Sequence, residues 1–394
     1  MPNEDFAGRS RDIGRPPIAE INALAADREA RGQTLINLGQ AVLGLPPPEA
    51  AMDEVRRYLD AGGVHGYSPD PGLDEVREAV ASFCRSHKAI ADARADQVMV
   101  TCGANQAFMN AVLTLTRPGD EVITFGPGYF DHDIALRLVG CVNVEVGLAR
   151  DPAGDRFAFD IDAVAGALTP RTRAVVLVSP GNPTGAIIDD ASLERLTALC
   201  ADRGLWLVSD ETYDLLTFPG AHHRSPAALS RDRVVVVGSF SKVFGLAGWR
   251  VGYLLGPAWL VEETVKAQDA VVVCAPVPAQ RAALGALGVV DQYAGRARAV
   301  LVERRDTLLE ILRGLDWVTP TVPDGATFTL ARLADGLDDL ALGRDLVIRA
   351  GVVTVPGSAF GPRGAGWMRF SFGNQPADLL REAGERLRAF EPSG

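Results

Sequence analysis

The chain has 394 residues, 47% hydrophobic and 23% charged, with a net charge of −11. That length suffices for two domains around a large buried core, and the balance excludes extensive disorder. The acidic surplus argues against nucleic acid or an anionic membrane surface as the partner.

In chain order, the polar stretch 1–17 lacks the apolar core of a signal peptide. Residues 18–31 read as a short helix and 35–38 as extended, and Pro46-Pro47-Pro48 breaks the chain before a helix at 49–59. From about 95 to 256, short apolar runs alternate with amphipathic stretches, which predicts βαβ units and a largely parallel sheet. The clearest runs are 98–101, 121–125, 174–178, 205–208, 234–237 and 251–255. A helix rich in arginine follows at 292–313, expected to show a solvated face carrying Arg296, Arg298, Arg304 and Arg305. Strand-like runs at 327–330, 352–355 and 367–372 precede a closing helix at 377–390. The resulting fold class is α/β: a large domain with a mostly parallel mixed sheet covered by helices, plus a small α+β domain. We divide the chain into an N-terminal arm at 1–48 that joins the small domain, a large domain at 49–290, and a small C-terminal domain at 291–394. No uncharged run reaches the ~18–20 residues of a membrane span, so a cytoplasmic protein with no membrane partner is expected. The cysteines Cys84, Cys102, Cys141, Cys200 and Cys274 are widely scattered, so neither a disulfide framework nor a metal site is expected, and each suits a small core position.

Three of the apolar runs end in polar residues. They are Ser179-Pro-Gly-Asn182-Pro-Thr-Gly185, Ser209-Asp210-Glu-Thr-Tyr213 and Gly238-Ser239-Phe-Ser-Lys242, followed by Arg250. Asn182, Asp210 and Lys242 are spaced by about 30 residues, the length of one βαβ unit. Ligands of open α/β sheets bind beyond the carboxyl ends of the strands, so these residues should meet. A lysine at a strand end, partly desolvated, is a usable nucleophile toward an aldehyde. Ser239 and Arg250 suit a phosphate, and an aldehyde carrying a phosphate describes pyridoxal 5′-phosphate (PLP). Asp210 suits the protonated ring nitrogen, while Asn182 and Tyr213 can donate to the phenolic oxygen. Each also has a plainer reading: Asn-Pro-Thr-Gly is a good turn, Asp210 a helix cap, Tyr213 packing. Gly103-Ala104-Asn105 turns into a helix whose N-terminus can hold phosphate. Tyr129 is either a stacking aromatic or a core residue. His222-His223-Arg224 reads as a solvated turn.

In their order along the chain, these segments resemble the class I/II aminotransferases among fold-type I PLP enzymes. The likeness also covers Ile36-Asn-Leu-Gly-Gln40, the run from Tyr67 to Glu78, Gly248-Trp-Arg250-Val-Gly252, Val355-Pro-Gly-Ser-Ala-Phe-Gly361 and Met368-Arg369-Phe-Ser-Phe372. It implies transfer of the amino group of an L-α-amino acid to a 2-oxo acid through a Lys242 Schiff base, with Lys242 as proton shuttle. It further implies that Asp210, Asn182 and Tyr213 contact the ring, and that Tyr129 stacks on it. The Ala104 and Asn105 backbone, Ser239 and Arg250 would hold the phosphate, and Arg369 the α-carboxylate. Tyr67 would reach the partner's phosphate in a homodimer with a shared active site.

The chain departs from the family pattern at Gly39-Gln-Ala41-Val-Leu43-Gly44, where relatives often carry a second glycine and a proline, and at His132, where many carry tyrosine. Ala41 and His132 are therefore candidate substrate-wall residues. His132 over the ring would be an additional acid or base, or else a plain substitution. These departures leave room for another PLP chemistry on the same scaffold, namely β- or γ-elimination, cyclisation, decarboxylation or oxidation. About 30 residues precede the first motif, fewer than a DNA-binding regulator built on this fold would need.

Overall fold

In the computed structural model of the chain, residues 8–10, 13–14, 18–62, 65–151 and 153–392 are described. Most of the stretch read as lacking a signal peptide lies outside them. Seven strands form the main sheet. Across it they run Val98–Thr101, Gly252–Leu255, Val234–Ser239, Trp206–Asp210, Thr172–Val178, Glu121–Gly126 and Val142–Gly147. Gly252–Leu255 is antiparallel to both neighbours, and the other pairings are parallel. The central strands are apolar on both faces because both faces are covered. Val234 and Val236 join one buried cluster, while Val235 and Val237 join another with Phe108 and Leu136. Strand order reverses between Thr172–Val178 and Glu121–Gly126, the kind of switch point where a crevice opens at the carboxyl edge.

A second sheet of four antiparallel strands orders Val318–Pro320, Phe328–Leu333, Trp367–Ser371 and Val355–Pro356. The run expected as one strand at 352–355 is split. Val352–Val353 pairs in parallel with Ile36–Asn37, and Val355–Pro356 pairs with the Trp367–Ser371 strand. The arm is thereby tied to the C-terminal part of the chain. Helix Val290–Arg313 packs on the closing helix Ala377–Arg388. Its arginine face is not wholly solvated, which corrects one expectation. Arg296 and Arg298 are exposed, but Arg304 is buried and its Nη1 donates to the Gly373 carbonyl at 2.6 Å. Arg305 lies over the Phe218 ring, 4.6 Å from its centre. All five cysteines are free, and four are buried, with Cys102 half-buried. No helix among the described residues is long and apolar enough to cross a membrane.

Candidate active site

At the carboxyl edge of the main sheet lies a cleft of about 340 Å³, a size that holds a cofactor-sized ligand. Ala41, Ala104, Asn105, Tyr129, Asn182, Asp210, Tyr213, Ser239, Lys242, Arg250 and Arg369 all line it. Eleven candidate residues from separate motifs thus converge on one cavity: Asn182, Asp210, Tyr213, Ser239 and Lys242 come from the carboxyl ends of main-sheet strands and the turns after them, while Arg369 comes from a strand of the second sheet.

Lys242 stands in the turn after Val234–Ser239. Phe240 and Phe244, both buried and stacked 5.9 Å apart, anchor that turn on either side of it. Burial, together with the positive Arg369 and Arg250, brings its ammonium down to about 8, well below an ordinary lysine. Asp210 ends the Trp206–Asp210 strand and is buried. Its Oδ1 accepts from the Thr212 amide at 3.0 Å, and its Oδ2 lies 3.1 Å from His132 Nε2. Burial pushes the Tyr213 phenol well up, so it remains a proton donor, and its ring meets Phe328 edge-on at 5.5 Å.

The opposite end of the cleft is built for an anion. Ala104 and Asn105 head the helix Ala104–Leu115, whose first amides have no carbonyl to bond within the helix. Gly103 precedes them at φ 85°, and a Cβ there would come within 2.6 Å of Arg250 Nη2, so only glycine lets the guanidinium approach. Arg250 is itself left-handed at φ 54°, a sparsely populated conformation for a side-chain-bearing residue. Its Nη1 and Nη2 donate to the carbonyls of Ala247 and Cys102 at 2.9 and 3.3 Å.

Arg369 is fully inside the protein. Nη1 donates to Asn182 Oδ1 at 2.9 Å and Nη2 to the Gly39 carbonyl at 2.7 Å, while the guanidinium lies 4.9 and 5.0 Å from the Phe328 and Phe360 ring centres. Nε is buried without a partner, and among the described residues no carboxylate pairs with this cation. Burial lowers it to about 10. Thr212 Oγ1, also on the cleft wall, is a second buried polar atom without a partner. On a cleft wall, such orphans leave hydrogen-bonding capacity free for a polar ligand.

Two candidates lie elsewhere. His132 does not stand over the cleft: it is buried behind Asp210, stacked on Phe108 at 4.0 Å and edge-on to Tyr129 at 5.2 Å. The sequence offset placed it on the right helix, but helical rotation turned it under the carboxylate. Tyr67 is 85% exposed and does not line this chain's cleft. The sequence reading missed the Gly39 carbonyl, Thr212 and Phe130 as parts of the wall. Gly39 and Thr212 sat inside motifs already singled out, and that adjacency was the available signal. His223 also corrects an expectation. Its side chain is 6% exposed and its Nε2 lies 3.5 Å from Glu211, so the solvated turn is partly folded inward.

The family model for class I and II aminotransferases matches residues 33–387. Aromatic aminotransferase ISS1 of Arabidopsis thaliana is 35% identical over 387 residues, covering 96% of this chain and 94% of the relative. The aspartate/prephenate aminotransferase of Thermus thermophilus is 33% identical over 93% of this chain and 94% of its own length. Among solved structures, an aspartate aminotransferase mutant of T. thermophilus superposes with a TM-score of 0.91 at 31% identity, covering 98% of this chain and all of the other. The aspartate aminotransferase of Thermotoga maritima gives 0.90 at 32% identity, with 98% and 99% covered.

Proposed function

The chain belongs to the class I and II aminotransferases and is a PLP-dependent enzyme of amino-acid metabolism; we propose that it works through the cleft around Lys242 and prefers amino acids with uncharged side chains. The residues present fit the cofactor: a free lysine of lowered basicity, a buried carboxylate, phenol and amide donors, and a glycine cradle beside Arg250. When bound, PLP supplies an aldehyde for the amine and a ring that accepts the electron pair left as the Cα proton departs.

In this reading Lys242 would hold the aldehyde end of the cofactor and would serve as the base that moves a proton at the substrate Cα. Its lowered basicity leaves about a tenth of it unprotonated at pH 7, far more than an ordinary lysine would have, as a base requires. Asp210, steadied by His132, holds positive charge on the ring nitrogen. Asn182 and Tyr213 orient the phenolic oxygen, and Ala104, Asn105, Ser239 and Arg250 hold the phosphate. Arg369 would grip the α-carboxylate, and the observation that carries the reading is its buried guanidinium, whose Nε lacks a partner and which no carboxylate among the described residues neutralises. Tyr129 and the walls exclude water.

The specificity reading rests on charge. Lys242, Arg250 and Arg369 are the cations on the described wall, and each already has a task. What this chain offers a substrate side chain is Ile18, Ala41 and Phe130, with Gln40 as a neutral polar group. Mixing the holoenzyme with single amino acids and following cofactor absorbance tests this. Phenylalanine, tyrosine or leucine should convert the cofactor to its amino form at lower concentrations than aspartate or glutamate. The reverse order would overturn the specificity, and no conversion by any amino acid would overturn the use of this cleft. The eliminating or oxidising alternatives leaned on the altered Ala41–Gly44 segment and on a histidine over the ring; His132 is behind Asp210 instead, which leaves them the altered segment alone.

We also propose a homodimer in which Tyr67 reaches the partner's phosphate, supported by its 85% exposure at the edge of a motif of the family. Sedimentation should give about twice the 41.8 kDa chain mass, and a monomer would remove the proposal. Two domains are inferred, 49–290 and 291–394 with the arm 1–48, supported by the pairing of Ile36–Asn37 with Val352–Val353. The five free thiols suit the reducing cytoplasm, a location that cell fractionation would check.

A further inference from the structure

Behind the cleft, a buried lysine does something the cofactor site does not explain. Lys88 caps the C-terminus of helix Asp74–His87, and its side chain is 2% exposed. Its ammonium donates to Glu211 Oε2 at 2.7 Å and makes a close contact with Asp214 Oδ2. Glu211 is the residue after Asp210, and Asp214 is the residue after Tyr213. One cation therefore bridges the two ends of the short turn that carries the ring-nitrogen carboxylate and the phenolic-oxygen donor.

That turn is neither helix nor strand, and few backbone bonds hold it. Asp214 donates its amide to the Glu211 carbonyl at 3.1 Å and Glu211 donates to Val237 at 2.9 Å, while the Asp210 and Tyr213 carbonyls accept from Ser179 at 3.1 Å and Leu216 at 2.8 Å. The side chains supply the rest. Glu211 Oε1 accepts from Ser209 Oγ at 3.0 Å and Ser225 Oγ at 2.6 Å, with His223 beside Oε2. Cys84 and Tyr253 close the remaining sides. Neither Lys88, Glu211 nor Asp214 lines the cleft.

We propose that Lys88 is a positioning residue of the cofactor site, fixing the distance between Asp210 and Tyr213 by tying Glu211 to Asp214. Although burial opposes it, the attraction of Asp214 and Glu211 holds the Lys88 ammonium well above an ordinary lysine. Lys88 with Glu211 and Asp214 leaves one surplus negative charge, and His223 faces it. A purely apolar filler would support the fold but could not hold both carboxylates at once.

The inference rests on the reading in which Tyr213 donates to the phenolic oxygen, and the test separates the two. Donors there satisfy the oxygen's charge and weaken its hold on the proton beside it, so loosening Tyr213 raises the pH midpoint of the bound cofactor's absorbance titration. Holoenzyme carrying Lys88→Met should show that midpoint raised by about half a unit or more, with faster cofactor release. Asp214→Asn, which cuts one arm and keeps Lys88 paired with Glu211, should move it the same way by less, and it carries the test if Lys88→Met does not fold. Tyr213→Phe is the reference. If Tyr213→Phe shifts the midpoint while both staple variants leave it in place and only melt earlier, Lys88 is merely structural and the proposal is overturned. If Tyr213→Phe shifts nothing either, the reading of Tyr213 fails and takes the proposal with it.

Discussion

Lys242→Ala is expected to lower kcat/KM by about 10⁴-fold or more, since it removes both the covalent hold on the aldehyde and the proton carrier; the proton transfer alone is worth about 10²–10⁴-fold. Borohydride reduction of the holoenzyme followed by peptide mapping should find the cofactor on Lys242 in the parent and on no lysine in the variant. Stability should not fall with activity. The folded-state value of about 8 lies below the ordinary lysine value near 10.4, so the unfolded chain binds this proton more tightly. The apo-protein therefore bears a full penalty from Lys242 below pH 8, and gains stability as pH rises from about 8 toward 10.4. Lys242→Ala lacks that penalty, so its apo-protein should melt no earlier than the parent at pH 7, and its stability should lack that rise. Capture of PLP by the parent apo-protein should likewise speed up as pH climbs through about 8 and then level off. Undiminished turnover in the variant, or labelling of another lysine, would remove Lys242 from its role.

Much of this arrangement was legible before any coordinates, and the reason is local chemistry. Val98–Thr101 was read to the residue because it is a short apolar run followed by a glycine turn. The long helix was read to within two residues because its period persists over six turns. That Asn182, Asp210 and Lys242 share one cleft was legible because each sits where an apolar run stops at polar residues. The edge strand Val142–Gly147 was passed over: Val-Asn-Val-Glu-Val alternates, as a half-exposed strand should, but a search for continuous apolar runs does not detect alternation.

What stayed illegible depends on contacts distant in sequence. Arg304 resembles its solvated neighbours until the strand end at Gly373 supplies a carbonyl. Nothing near Lys88 in the sequence marks it, because its two carboxylates lie over 120 residues away. His132 stands where many relatives carry tyrosine, and that match of position does not give the direction its ring faces. A side chain's partner, unlike its strand, is a property of the whole fold.

Arg369→Lys should separate substrate binding from cofactor binding. A guanidinium has five N–H donors in a fixed fork. One on Nη1 is spent on Asn182 and one on Nη2 on the Gly39 carbonyl, which leaves three, including the orphaned Nε. The two scaffold bonds fix the fork in space, and the remaining edge can take a carboxylate through two parallel bonds. An ammonium has three donors and no fork: if it keeps Asn182 and Gly39, one is left for substrate. Losing one charge-assisted bond costs about 1.5–3 kcal/mol, or roughly 10- to 150-fold. That loss should fall mainly on KM for both amino acid and 2-oxo acid, with a smaller change in kcat. Affinity for PLP should hold, because Asn182, Tyr213 and the phosphate cradle remain. Arg369→Ala should cost about 10²–10³-fold and leave Asn182 and Gly39 without their donor, so it should melt earlier than Arg369→Lys. The aromatic faces of Phe328 and Phe360 offset part of the cost of burying this cation, so in the free enzyme the cation is already in place when substrate arrives. Titration with a monocarboxylate that lacks an amino group decides the point. It should compete with substrate in the parent and lose most of that competition in Arg369→Lys, and equal inhibition of both would show that the carboxylate is held elsewhere.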